Sequence, residues 1–149
     1  MSLLRLIKGV IIMARVTGIG GVFFKSEDPV KLRKWYEEKL GIQSDEYGKT
    51  FLWNSVNPPH VGSTVWAPFK QQTTYFEPSQ KQFMINFRVD DLPVLVEELS
   101  AKGVSILAPI MEESYGKFAH ILDPEGNKIE LWEPADEAMF DMLDEDGTK

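Results

Sequence analysis

A chain of 149 residues sets the scale of one domain, and an apolar share of 43% with 11% aromatics can give it a core. A formal charge of −7, with no segment that concentrates Lys and Arg, argues against a nucleic-acid partner. The lack of Cys excludes disulfides, thiolate nucleophiles and Cys-type zinc sites, and fits the cytoplasm, where the chain is expected to act.

Residues 1–14 read as an N-terminal extension. The apolar run to Ile12 is broken by Arg5 and Lys8, is too short to span a bilayer and precedes no cleavage pattern of the signal-peptide kind. No membrane partner is therefore expected. Met13 reads as a natural start, so residues 1–12 stay outside the functional reading. Alternation predicts a strand over 16–25. Asp28-Pro29 then offers an N-cap acceptor and a proline at the first helical position. Val30, Leu32, Trp35, Tyr36 and Leu40 recur at helical spacing until Gly41, which predicts a helix over 28–40. Strand signals follow at 49–55 and 62–67. Phe69 to Ser79 is polar, carries one proline and shows no periodicity, and reads as a linker.

The second half repeats the first. A strand is predicted over 82–89, and a helix over 91–102, capped by Asp90 or Asp91 and stopped by Gly103. Further strands are predicted at 105–111, 116–122 and 128–132. The two helices lie in matching frames. The ending Ser63-Thr64-Val65-Trp66-Ala67-Pro68 lines up with Ile129-Glu130-Leu131-Trp132-Glu133-Pro134. Two copies of a βαβββ unit are the economical reading, an α+β fold with modules at 15–68 and 81–135 and a linker at 69–80. Residues 136–149 carry Ala138, Met139, Met142 and Leu143 at helical spacing, and read as a short amphipathic helix with a solvated end.

The chemistry concentrates near the C-terminus. Asp123-Pro124-Glu125-Gly126 is a turn, and the strand after it puts Lys128, Glu130 and Trp132 on one face and Ile129 and Leu131 on the other. A carboxylate among large apolar side chains is costly unless it is paired. If the hairpin pairs Leu122 with Lys128, His120 falls opposite Glu130 and Phe118 opposite Trp132. His120 and Glu130 are then the candidate acid–base pair: Glu130 holds the imidazole, and His120 moves a proton on a substrate. The aromatic complement points to a pocket for a small molecule. Its expected lining is Trp53, Trp66, Met84, Asn86, Phe118 and Trp132. Trp66 and Trp132 take equivalent places on the two closing strands. Met84, Asn86 and Arg88 share a face, while Ile85, Phe87 and Val89 turn toward the second helix. His60, in the longest loop of the first module, is a weaker candidate.

The duplicated unit closing on Asp-Pro-Glu-Gly-Asn-x-Ile-Glu-Leu-Trp resembles the vicinal oxygen chelate superfamily, which contains glyoxalase I, extradiol dioxygenases and fosfomycin and bleomycin resistance proteins. The resemblance implies two modules forming a glyoxalase-like incomplete barrel around a central cavity. It also implies a homodimer. In metal-dependent members a divalent metal is held by the first and last strands of the modules. Of those positions only Glu130 keeps an acid. Thr64, Gly21 and Met84 stand at the other three, and one carboxylate cannot hold a hard cation. No metal ligand set and no cofactor are therefore expected, and a divalent metal is disfavoured. The reading that follows is a protein binding a small organic ligand. The alternative is a glyoxalase-like lyase or dioxygenase-type enzyme using His120 and Glu130, with or without a relocated metal such as one at His60, His120 and Glu130. A third is an interaction module with no ligand.

Overall fold

The computed structural model describes residues 5–7, 10–12, 14–56 and 59–136. Strands β1 (Arg5–Ile7) and β2 (Val10–Ile12) pair with each other as an antiparallel hairpin. The first module follows as β3 (Val16–Ser26), α1 (Pro29–Leu40), β4 (Lys49–Val56) and β5 (Pro59–Lys70). The second is β6 (Phe83–Val89), α2 (Leu92–Ala101), β7 (Met111–Glu113), β8 (Gly116–Leu122) and β9 (Lys128–Pro134). The expected helix past Asp136 lies outside the described residues. Among those residues no helix is long and apolar enough to cross a membrane.

Seven strands form one mixed sheet in the order β4-β5-β3-β6-β9-β8-β7. The opening strands β3 and β6 pair antiparallel at its centre, and each is flanked by its own closing strand in parallel, β5 or β9. The modules are thus joined edge to edge, as the α+β reading requires. One predicted strand and the strand count of the first module come out differently. Among the described residues only β4 and β5 follow α1 in the first module, so the third strand that a βαβββ unit implies is not formed there, and an isolated bridge joins Asp45 and Gly48. The predicted strand at 105–111 is reduced to a bridge between Ile106 and Ile121, with β7 starting at Met111. Pro109 lies between them and has no N–H to give a ladder.

The helix ends follow their caps. Asp28 Oδ1 accepts from Lys31 N at 3.0 Å, and Gly41 closes α1 with a left-handed φ of 68°. At α2 the cap is Asp91, which accepts from Val94 N, while Asp90 accepts from Arg15 N instead. The modules differ in packing. Leu92 and Leu95 of α2 are buried with Val89, Ala119, Ile121 and Leu131 in the main core, on the face of the sheet away from Glu130. Helix α1 buries none of its residues, and Val30, Trp35 and Leu40, which recur at helical spacing, are exposed. Its main anchor is Tyr36 on the Trp66 ring, with centroids 4.6 Å apart.

The turn before β9 is built on Asp123. Its carboxylate accepts from the backbone of Glu125 and Asn127 and from Asn127 Nδ2, and these bonds hold it below the usual carboxylate range. A depressed carboxylate stabilises the fold above its unfolded pKa and loses that contribution as acid protonates it. Asp123→Ala is accordingly expected to lower the melting temperature by a few degrees at pH 7, and the difference from the wild type should shrink as the pH falls below 4, the ordinary Asp range. Thermal melts of both proteins across that range check it.

Candidate functional site

The turn sets the register of β8 on β9. Leu122 pairs with Lys128, His120 with Glu130 and Phe118 with Trp132. His120 Nε2 lies 2.7 Å from Glu130 Oε2. A carboxylate oxygen only accepts, so the imidazole carries its proton on Nε2. Two further donors reach the same carboxylate. Asn86 Nδ2, from the paired position on β6, donates to Oε1 at 2.7 Å, and Tyr75 Oη donates to Oε2. Glu130 and His120 are both buried. Three hydrogen bonds offset the desolvation that a carboxylate suffers there.

Tyr75 was missed from sequence because it lies in the connection read as a featureless linker. That segment is a strap packed over the sheet. Phe76 is fully buried beside Phe23, Ala67 and Met84, and Lys128 Nζ donates to the Tyr75 carbonyl at 2.6 Å. The available signal was Tyr75-Phe76, two adjacent aromatics inside a polar run. Burial first, and the Glu130 charge second, push the Tyr75 phenol well above its ordinary 10.0. A raised phenol stabilises the fold below the unfolded pKa, and that contribution is lost as pH rises. Tyr75→Phe should therefore flatten the fall in melting temperature between pH 9 and 11, while starting from a lower value at pH 7 because the hydrogen bond is gone.

Glu130 faces a cavity of about 710 Å³. Its lining draws on all seven strands of the sheet, from Thr50 on β4 to Met111 on β7. Neighbouring strands lie about 4.8 Å apart, so edge strands reach one cavity of this size only if the sheet curls around it. The aromatic wall is Phe23, Tyr47, Phe69, Tyr75, Tyr115, Phe118 and Trp132. Close approach depends on Gly20, which sits at a register shift of β3. A Cβ there would stand 2.8 Å from Trp132 Cε3 and closer still to Asn86 Oδ1.

Of the residues expected from sequence, the cavity brings together Asn86, Phe118, Glu130 and Trp132. His120 stands behind Glu130 rather than in the lining, so the pocket-facing group of the pair is the carboxylate. Met84 is buried in the cluster under the strap. Trp53 folds over Gly62, donates its indole N–H to Thr64 Oγ1 and meets the Arg88 guanidinium at 5.1 Å. Trp66 lies on the other face of the sheet, between Tyr36 and Phe24. His60 pairs with Ser55 on the backbone, five residues before Val65, and its side chain lies outside the described residues.

The position of Trp66 exposes a fault in the expected alignment of the repeat. The helix caps Asp28 and Asp91 are 63 residues apart. In both modules the closing strand pairs with residues 44 positions after the opening strand, as in Gly21 with Val65 and Asn86 with Glu130. One offset of 63 thus serves helices and strands. It matches Gly21 with Met84, as expected, but puts Ala67 rather than Thr64 in the place of Glu130. Ala67, Gly21 and Met84 offer no metal ligand. Among the described residues no three His, Asp or Glu side chains converge, so the donor set for a divalent metal is not assembled around Glu130.

The pattern of the Glyoxalase/Bleomycin resistance protein/Dioxygenase superfamily matches residues 19–131, and the chain belongs to that superfamily. Among solved structures, a variant of methylmalonyl-CoA epimerase from Streptomyces coelicolor, in complex with 2-nitronate-propionyl-CoA, is similar at 17% identity with a TM-score of 0.59, over 81% of this chain and 99% of the other. Methylmalonyl-CoA epimerase from Mycobacterium tuberculosis is similar at 19% identity and TM-score 0.54, over 82% and 91%. A Legionella pneumophila chain described as NAD-dependent benzaldehyde dehydrogenase aligns at 18% and 0.50, over 76% and 97%. These likenesses are of fold alone, and the names they carry disagree on chemistry. No curated protein matches by sequence.

Proposed function

We propose that this chain binds a small organic molecule with an apolar or aromatic body in the curled sheet, without the metal of its metal-dependent relatives. The observation that carries this reading is one cavity walled by seven aromatic residues with a buried, triply hydrogen-bonded carboxylate at its wall. Such a composition is typical of small-molecule pockets. A ligand present at a hundred times its Kd stabilises the native state by about 2.7 kcal/mol. Screening a panel of metabolites and drugs by thermal shift should therefore give hits of several degrees, and a panel without any hit would count against the pocket. Metal analysis is the companion measurement: stoichiometric Ni, Zn, Mn or Fe in the purified protein would sink the metal-free part.

One observation favours a second reading, proton transfer. Glu130 Oε2 is shared by the Tyr75 hydroxyl and the His120 imidazole, which ties a pocket-facing carboxylate to two groups that can move protons. In this reading Glu130 meets the substrate and His120 positions it from behind.

A further inference from the structure

The charged side chains that line the cavity are of one sign. Glu113 and Glu130 are in the lining, and it includes no Lys or Arg among the described residues. The nearby cations already have partners, and Lys128 lies on the Tyr75 ring at 5.2 Å. Lys128 Nζ is held by the Tyr75 carbonyl, Lys117 pairs with Glu133 at 3.7 Å, and Arg88 is buried against Asp136 behind Trp132. The ring faces are extensive: Phe118 lies parallel to Trp132 at 6.0 Å and 7°, and Phe69 to Tyr75 at 5.8 Å and 15°. The cavity potential also registers on the phenols, since the charges of Glu113 and Glu130 add to burial in raising Tyr115.

We infer that the ligand class is an organic cation, an alkylated ammonium carried on an aromatic-sized apolar body. The inference rests on the binding reading above and names its ligand. A buried carboxylate, Glu130, and an exposed one, Glu113, repel an anion and give a neutral body nothing, whereas a cation gains from both the carboxylates and the ring faces. The head group follows from Glu130. Its carboxylate already accepts three hydrogen bonds of the roughly four it can take. A primary ammonium would bring three donors into a wall with little acceptor capacity left, while an alkylated ammonium brings few or none.

The test is a titration of the full chain, followed by NMR shifts, with three probes of one shape: phenyltrimethylammonium, tert-butylbenzene and 4-tert-butylbenzoate. The cation should bind about tenfold or more tighter than its neutral isostere, with the benzoate weakest. Added salt should weaken the cation alone. Glu113→Gln, at an exposed position, should cut the affinity of the cation about threefold and leave that of tert-butylbenzene within about twofold. If tert-butylbenzene or the benzoate binds as tightly as the cation, the charge inference is overturned and the pocket stands. If none of the three shifts the protein, the pocket reading falls and takes the inference with it.

Discussion

Arg88→Met is expected to cost about 3–5 kcal/mol of stability, the usual effect of removing one partner from a buried ion pair. Arg88 is buried in β6 on the cavity side of the sheet, with Nη2 2.5 Å from Asp136 Oδ2, and Nη1 donates to the Ser63 carbonyl of β5. Its guanidinium lies 5.1 Å from the Trp53 ring and 5.4 Å from that of Trp132. One side chain therefore ties together the first module, the second module and Asp136, two residues past the closing strand. A Met fills the space of the stem but leaves the Asp136 carboxylate in the interior without its guanidinium. The melting temperature should drop by about 10 °C. Adding Asp136→Leu to Arg88→Met should recover a good part of that drop, because the carboxylate is what becomes costly. If the double variant melts no higher than the single one, the loss comes from the rings and Ser63 instead.

Glu130→Ala should be nearly as damaging, for a different reason. It removes the acceptor of three donors, Tyr75, His120 and Asn86, of which His120 and Asn86 are buried, and each unsatisfied buried polar group costs about 1–3 kcal/mol. Glu130→Gln is the milder change. Its carbonyl can accept from Asn86, and its amide can donate to His120 once the imidazole shifts its proton to Nδ1. The Gln variant is expected to stay folded, with a loss near 1–2 kcal/mol by denaturant melts. That makes it the variant for function. Under the proton-transfer reading it abolishes turnover and leaves ligand affinity within a few fold. Under the binding reading it weakens a cationic ligand and spares a neutral one.

The hairpin of β8 and β9 was legible because everything in it is local. A turn with Asp, Pro and Gly at fixed places sets the register, the register sets the facing, and His120 then meets Glu130. The first module was less legible. Its closing strand was aligned on the recurrence of Trp-x-Pro, three residues away from the offset that the helix caps and sheet register share. Three is odd, and an odd slip in a strand turns every side chain to the opposite face. Trp66 consequently lies against α1, and Val65 and Ala67 face the cavity. Tyr75 was beyond reach for a third reason: irregular backbone has no period to read, and its contact with Glu130 spans 55 residues. The residues that depend on chain-distant packing, such as Arg88 with Asp136, were legible only as a facing and not as a partner.

The strap that carries Tyr75 belongs to neither repeat. A duplicated fold gives each cavity wall a near-copy on the other side, and changing a strand residue disturbs the ladder it pairs in. A connecting segment is under no such constraint, since its backbone owes little to either module. The chain has put its most intimate contact with Glu130 on that segment. Under the binding reading, new specificities are therefore best sought by grafting or randomising residues around Tyr75 with the two modules held constant, leaving Phe76 as the fixed pin that seats each variant strap.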